Sequence, residues 1–294
     1  MFEKVLVISE LHYHFDYVLH GLLGLKKLGT RSVLLVQCLN PQELNDTVST
    51  FVTGIYKEHL DAQEMRLTEH GFAVTTRQMI GVFRDSINEL ARNEQCGLVV
   101  VGAPERTMLG SLLDGGAAYH MMHGSLIPLL LVRTPPSMDP HELKLPDGSL
   151  SDHLLFPTDF SENAARAFDV ARQIAAKGIR KVTLLHVQDK AKIDPHLLGQ
   201  LEAFNQKDTA RLEEMAQTLR QNGCADVSTL LLYGSPTSEI LRIIADMKVT
   251  SVIMGSQGRG WIREIYLGNV SHSIARHASV PVLLIPFPRS EGAK

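Results

Sequence analysis

The chain has little of what marks a secreted, metallated or membrane-inserted protein. Its cysteines number three, Cys38, Cys96 and Cys224. An odd count without CxxC spacing argues against a disulfide framework and a cysteine metal cluster, and for buried structural thiols in a reducing compartment. No apolar run approaches the roughly 20 residues of a membrane span. The opening Met-Phe-Glu-Lys-Val-Leu-Val lacks the basic start, the long apolar stretch and the small-residue cleavage site of a signal peptide. Neither sign of charge dominates, since 29 basic and 32 acidic residues leave a net −3, so no basic surface for nucleic acid is indicated. These absences lead us to expect a cytoplasmic protein with neither a membrane nor a nucleic-acid partner. Trp261 is the single tryptophan and reads as a packing anchor of its loop.

What the chain does have is a repeat. Its 294 residues suit two domains of ordinary size. Gly102 lies 255 − 102 = 153 positions before Gly255, and at that offset Gly81 matches Gly234, Gly115 matches Gly268 and Pro128 matches Pro281. The opening parts align at an offset of 149, Gly29 with Gly178 and Val33 with Val182. The four-residue difference is absorbed in the long second helix or its loops.

In the second half, strands are expected at His153 to Phe156, Lys181 to Val187, Val227 to Leu232, Thr250 to Met254 and Pro281 to Ile285. Ser161 caps a helix whose Ala164, Ala165, Phe168, Ala171 and Ala175 fall at helical spacing, and Gly178 stops it. A long polar helical region runs from about Pro195 to Arg220. Ser235-Pro236 starts a third helix with Ile240, Leu241, Ile244 and Met247 inside, and a last one runs from about Asn269 to His277. The first half repeats the order with strands at Lys4 to Ile8, Ser32 to Cys38, Phe72 to Thr76, Leu98 to Val101 and Ile127 to Val132. Alternation of this kind implies parallel sheets with right-handed crossovers, an α/β fold in two tandem doubly wound domains. The expected boundaries are 1–133, a Pro-rich linker 134–150, and 151–288.

The chemistry concentrates near the end of the chain. Val252 to Gly258 reads as an apolar strand running into a glycine-bounded loop, and Gly268-Asn269-Val270-Ser271 follows as a helix start. A helix start offers unpaired N–H groups and a positive dipole end to an anion. In a doubly wound sheet ligands bind where the strand order reverses, and Asp159, Val187 and Gly255 leave three strand ends there. Glycine at 258 and 268 leaves room for phosphate oxygens or supplies positive φ. Asp159 is also readable as a helix-start cap, while Arg259 and Arg263 read as solvated loop charges.

Phe156-Pro157-Thr158-Asp159-Phe160-Ser161, Leu184-Leu185-His186-Val187, Gly234-Ser235-Pro236 and the glycine signature together resemble a universal stress protein domain. The whole chain resembles the tandem form of that family. The resemblance implies five-stranded sheets in the order 3-2-1-4-5 and an adenine nucleotide, ATP, ADP or AMP, with or without Mg²⁺, beside the fourth strand. By that resemblance Pro157 and the Val187 backbone hold adenine, Asp159 and Gly255 the ribose, and Gly258, Gly268, Asn269 and Ser271 the phosphates, with Met254 and Val270 completing the set. Asn269 stands where the family usually has serine or threonine, which leaves the number of phosphates open. The first half departs further, with Ile8-Ser9-Glu10 for Pro157-Thr158-Asp159 and Glu105 at the place of Gly258. A carboxylate about 4 Å from a phosphate charge costs on the order of 4 kcal/mol, roughly a thousandfold in affinity. Nucleotide binding is therefore expected in the second domain only.

The leading reading is a stress-response regulatory protein with an unidentified protein partner. Slow ATP hydrolysis or self-phosphorylation is the enzymatic alternative, but no P-loop lysine and no paired carboxylates mark a catalytic residue. A scaffold without nucleotide is the third reading. The clusters His12, His14, His20 and His120, His123 lack the acid or cysteine company of a metal site. The apolar fifth strands are expected to pair the two domains pseudo-symmetrically, with any homodimer using other surfaces.

Overall fold

The computed structural model describes residues 1–9, 15–39, 49–80, 84–104, 116–135, 145–193, 198–258 and 267–287. The chain divides into two compact units, Met1–Pro146 and Asp147–Phe287. The first contains β1 (Lys4–Ser9), α1 (Phe15–Lys27), β2 (Ser32–Leu39), α2 (Ser49–Glu69), β3 (Ala73–Ile80), α3 (Arg84–Asn93), β4 (Leu98–Pro104), α4 (Ala117–Met122) and β5 (Leu129–Thr134). Its strands are parallel in the order β3-β2-β1-β4-β5.

The second unit contains β6 (His153–Pro157), α5 (Glu162–Ala175), β7 (Lys181–Asp189), α6 (Lys190–Ile193), a 3-10 turn (Leu198–Gln200), α7 (Leu201–Gln221), β8 (Asp226–Gly234), α8 (Pro236–Asp246), β9 (Ser251–Gly255), α9 (Asn269–His277) and β10 (Val282–Ile285). Here too all pairs are parallel, ordered β8-β7-β6-β9-β10. Each unit has the expected 3-2-1-4-5 order. Central strands such as β1, β4 and β9 are buried almost throughout because both faces of a parallel sheet are covered, whereas β8 at its edge is mostly half-buried.

The helices follow the expected periodicity, with three departures. Ser161 is the N-cap of α5, and its hydroxyl accepts from Ala164 N at 3.2 Å. Ala165, expected inside, is exposed, and Ala167 is buried instead. The inner stripe of α5 runs through Asn163, Ala164, Ala167, Ala171, Ile174 and Ala175, and Ala165 falls just outside it. In α8 the same geometry buries Ile243 beside Ile240 and Ile244, leaving Leu241 and Met247 half-buried. The long polar region includes a 3-10 turn at Leu198–Gln200, directly before α7 begins at Leu201. Residues 194–197, which include Pro195, lie outside the described set.

Cys96 and Cys224 are buried as expected, but Cys38 is only half-buried. Burial pushes the Cys96 thiol up to about 11, which keeps it protonated and unreactive at neutral pH. Among the described residues no helix is long and apolar enough to cross a membrane.

Candidate functional site

In the second unit the strand order reverses between β6 and β9, and a cleft of about 560 Å³ opens over the C-terminal ends of β6, β7 and β9. Pro157, Asp159, Val187, Met254, Gly255, Gly258, Gly268, Asn269, Val270 and Ser271 all line it. The sequence-designated residues, spread over more than a hundred positions, thus converge on one cavity.

The exit of β6 is a braced turn. Thr158 N donates to Leu185 O at 2.8 Å, which carries the β-ladder one residue past the strand. Phe160 N donates to Thr158 Oγ1 at 3.0 Å and Ser161 N to Asp159 Oδ1 at 3.0 Å. Phe160 takes φ +57°, a conformation that a bulky residue seldom adopts outside a turn held from several sides. Ser161, not Asp159, caps α5. One oxygen of Asp159 closes the turn, and the other faces Gly258 so closely that a Cβ there would lie 2.7 Å from it.

The glycine loop is shaped by close approach. A Cβ at Gly255 would lie 2.8 Å from Asn163 Nδ2, which donates to Gln257 O at 3.1 Å. Ser256 N donates to Ile285 O at 2.9 Å, and Gly268 N to Ser256 O at 2.8 Å. Positive φ, considered at Gly258 and Gly268, is found at neither, and Gly268 sits at φ −69°, ψ 153°. The chain passes these points in ordinary backbone conformations, so space and not handedness sets the requirement. At Gly268 space is not demanded by the described residues, the nearest of which, Gln257 Cα and Gly258 N, a Cβ would meet at 3.5 Å.

Gly268 is the N-cap of α9 and provides no side-chain cap. The first intrahelical bond runs from His272 N to Gly268 O, so the N–H groups of Asn269, Val270 and Ser271 have no intrahelical acceptor. Buried Ser271 donates its hydroxyl to Gly255 O at 2.8 Å, which leaves its N–H as the group for an anion.

The α7 wall of the cleft was not legible. His186, Lys207, Asp208 and Arg211 line it, together with Phe204. In the sequence His186 stood only as part of a strand motif, and α7 only as part of a long polar helical region. A usable signal existed, since Asp208 precedes buried Leu212 by four positions and buried Leu219 by eleven, placing a carboxylate on the inner stripe.

Glu105, Gly115, His12, His14, Arg259, Trp261 and Arg263 lie outside the described residues. His20 lies on α1, and the His123 ring packs against Tyr119 with centroids 4.6 Å apart and planes tilted by 54°. Among the described residues no group of three or more His, Cys, Asp or Glu side chains could hold a metal ion.

Comparison with known proteins agrees with this architecture. The profile of the universal stress protein family matches residues 27–133 and 151–286. Universal stress protein MJ0577 of Methanocaldococcus jannaschii is 31% identical over 150 residues, which is 45% of this chain and 93% of that protein. A universal stress protein structure from Archaeoglobus fulgidus covers 97% of this chain and 99% of its own, at 21% identity and TM-score 0.69. A universal stress protein crystallised in complex with cAMP aligns over 48% of this chain and 100% of its own, at 23% identity and TM-score 0.39.

Proposed function

Since the chain belongs to the universal stress protein family, we propose that its second unit binds an adenine nucleotide as a regulatory ligand, while the first serves as a structural or partner-binding half. The observation that carries this reading is Gly268. Among the described residues nothing requires glycine there sterically or conformationally, yet Gly268 lines the cleft at the start of α9, which has no side-chain cap. A phosphate group explains the vacancy, because it needs both the space and the three N–H groups behind it. The volume of about 560 Å³ also lies within the range of nucleotide-sized ligands, roughly 300–1,000 Å³.

In this arrangement Pro157 and the Val187 backbone take the base, Asp159 and Gly255 the ribose, and Gly258, Gly268 and the N–H groups of Asn269, Val270 and Ser271 the phosphates. Met254 and Val270 close the walls. The phosphate tail accommodates Mg²⁺ as counter-charge. Binding proceeds without turnover on this reading, because the Ser271 hydroxyl and the Asn163 amide N–H, both against the glycine loop, are committed to it. Ser271 donates to Gly255 O and Asn163 to Gln257 O, so neither is set as a nucleophile or base toward a ligand.

Calorimetric titration of ATP, ADP and AMP, with and without Mg²⁺, tests the proposal. One nucleotide per chain should bind, and Gly258→Glu, which sets a carboxylate against Asp159 and the phosphates, should abolish binding. Unchanged affinity in that variant would sink the assignment. Phosphate release from saturating ATP should stay well below about 1 s⁻¹, the low end of ordinary enzymes.

A further inference from the structure

We propose that His186 and Asp208 form a charged strut that positions the Asp159 turn of the cleft, so that nucleotide is held tightly only while His186 carries both ring protons. The inference rests on the nucleotide-binding reading of the second unit and adds to it a positioning pair and a regulating variable, pH.

His186 is buried on β7, with its Nδ1 2.7 Å from Thr158 O. A carbonyl oxygen only accepts, so Nδ1 bears a hydrogen. Nε2 lies 3.5 Å from Asp208 Oδ2. In a neutral ring with its hydrogen on Nδ1, that nitrogen would turn a lone pair toward a carboxylate. The doubly protonated ring instead presents a donor to an acceptor at each end.

Asp208 is itself held, accepting from Gln188 Nε2 at 3.0 Å, with Arg211 Nη1 3.9 Å from its other oxygen. The Phe160 ring lies 4.6 Å from the imidazole, and the Arg211 guanidinium stands 5.1 Å from the centre of that ring. Among the described residues Asp208 is the charge against the imidazole, Arg211 lies behind it against Asp208 and the Phe160 ring, and Asp159, Asp189, Lys192 and Lys207 line the same cleft. Thr158, whose carbonyl meets His186, also fixes Phe160 N, and the next residue is Asp159. A continuous set of contacts therefore runs from α7 through His186 to the carboxylate that faces Gly258.

The first unit offers an internal comparison. At the offset of 149 that aligns Lys4 with His153, Gln37 stands for His186. At the offset of 152 between Gly71 and Gly223, which follow α2 and α7, Tyr56 stands for Asp208. Gln37 is fully buried, and neither atom of its amide has a hydrogen-bond partner. Its register neighbour Ser9 likewise has an unpartnered hydroxyl. The unit whose sequence carries Glu105 in place of the loop glycine thus also lacks the strut, and its polar groups there are idle.

Two measurements on the full-length protein test the proposal. Calorimetry with ADP on wild type and Asp208→Asn gives a ratio of dissociation constants at each pH, in which the ionisation of the ligand phosphate cancels. That ratio should be about tenfold near pH 6 and approach one near pH 8.5, as His186 loses its proton across the histidine range. His186→Gln should bind like Asp208→Asn and show no further pH effect, and Asp208→Glu should recover most of the affinity at low pH. A merely structural role would lower the unfolding temperature without making the ratio depend on pH. Independently, imidazole ¹H–¹⁵N spectra of the ligand-free wild type, with His186 assigned by its loss in His186→Gln, should show two N–H groups at the pH of tightest binding. A flat ratio, or a neutral His186 at that pH, overturns the proposal even if Asp208→Asn fails to fold. Absence of ADP binding by wild type at every pH would instead remove the nucleotide reading on which it stands.

Discussion

A methyl group at residue 268 would approach Gln257 Cα no closer than 3.5 Å, on a backbone at φ −69° that any L-residue adopts, whereas one at residue 258 would press within 2.7 Å of Asp159 Oδ2. The two substitutions therefore separate the ligand's needs from those of the protein. Gly268→Ala should leave the unfolding temperature nearly unchanged while weakening ATP at least about tenfold, or about 1.4 kcal/mol. Gly258→Ala should weaken ATP too, but through a displaced Asp159 carboxylate. Calorimetry and thermal melts on both variants decide this, and wild-type affinity in Gly268→Ala would mean that the space is not phosphate space. His153 supplies a residue-scale prediction for pH. Its Nδ1 faces Met247 O at 3.2 Å and its Nε2 meets Thr183 Oγ1 at 2.8 Å. Burial, and secondarily Lys181, hold its ionisation below the ordinary 6.5. The folded state then binds fewer protons than the unfolded chain, so this contribution is complete above about pH 6.5 and is lost as the pH falls below it. Urea unfolding should show less stability at pH 5 than at pH 7.5, with a smaller loss in His153→Gln. His59 and His123, also lowered by burial in the first unit, add to the wild-type slope without altering that difference.

Helices and strands were legible where composition gives contrast and obscure where it does not. The inner stripe of α5 was misread at one position because its alanines, buried Ala164 and Ala167 and exposed Ala165, look alike in sequence, whereas the apolar strands β6 and β9 announced themselves. The glycine loop and the Asp159 turn were readable because a chain that leaves a strand and starts a helix has its own residue grammar. His186 and Asp208 were not, because their relation arises only when β7 and α7 pack, and no spacing within either element expresses it. The caps of α5 and α9 differ in a way that bears on function. Ser161 satisfies Ala164 N, while Gly268 offers α9 nothing from its side chain. Ser161→Ala should accordingly cost about 1 kcal/mol of stability in urea unfolding. Gly268→Ser should supply a side-chain cap and stabilise α9 by a smaller amount, roughly 0.3 kcal/mol because glycine is itself a tolerated N-cap residue, while displacing nucleotide. Stabilisation coupled to lost binding is the expected signature of an N-terminus left uncapped for a ligand, and a variant that becomes more stable and binds equally well would contradict it.

At the scale of the whole chain, the repeated offset in the sequence corresponds to two units with the same strand order, yet the two have diverged at the places that matter chemically. In the second, His186, Thr158 and the start of α9 converge on a cleft, while in the first Gln37 and Ser9, which match His186 and Thr158, are buried without partners. The sequence made the duplication visible through glycines and prolines, which mark turns. It could not show the idle amide of Gln37, because partnership is a property of the packed core. This asymmetry makes a thermodynamic prediction. A ligand that binds only the native form of one unit stabilises that unit by about 2.7 kcal/mol at a concentration one hundred times its dissociation constant. Hydrogen-exchange mass spectrometry on the full chain with saturating ATP should therefore slow exchange at the exit of β6, in residues 255–258 and at the start of α9, and more weakly across the rest of Asp147–Phe287. Peptides from β1, β2 and β4 should exchange as in the free protein. Equal protection at the ends of β1 and β4 would show that the first unit also takes nucleotide, and would overturn the assignment of binding to the second alone.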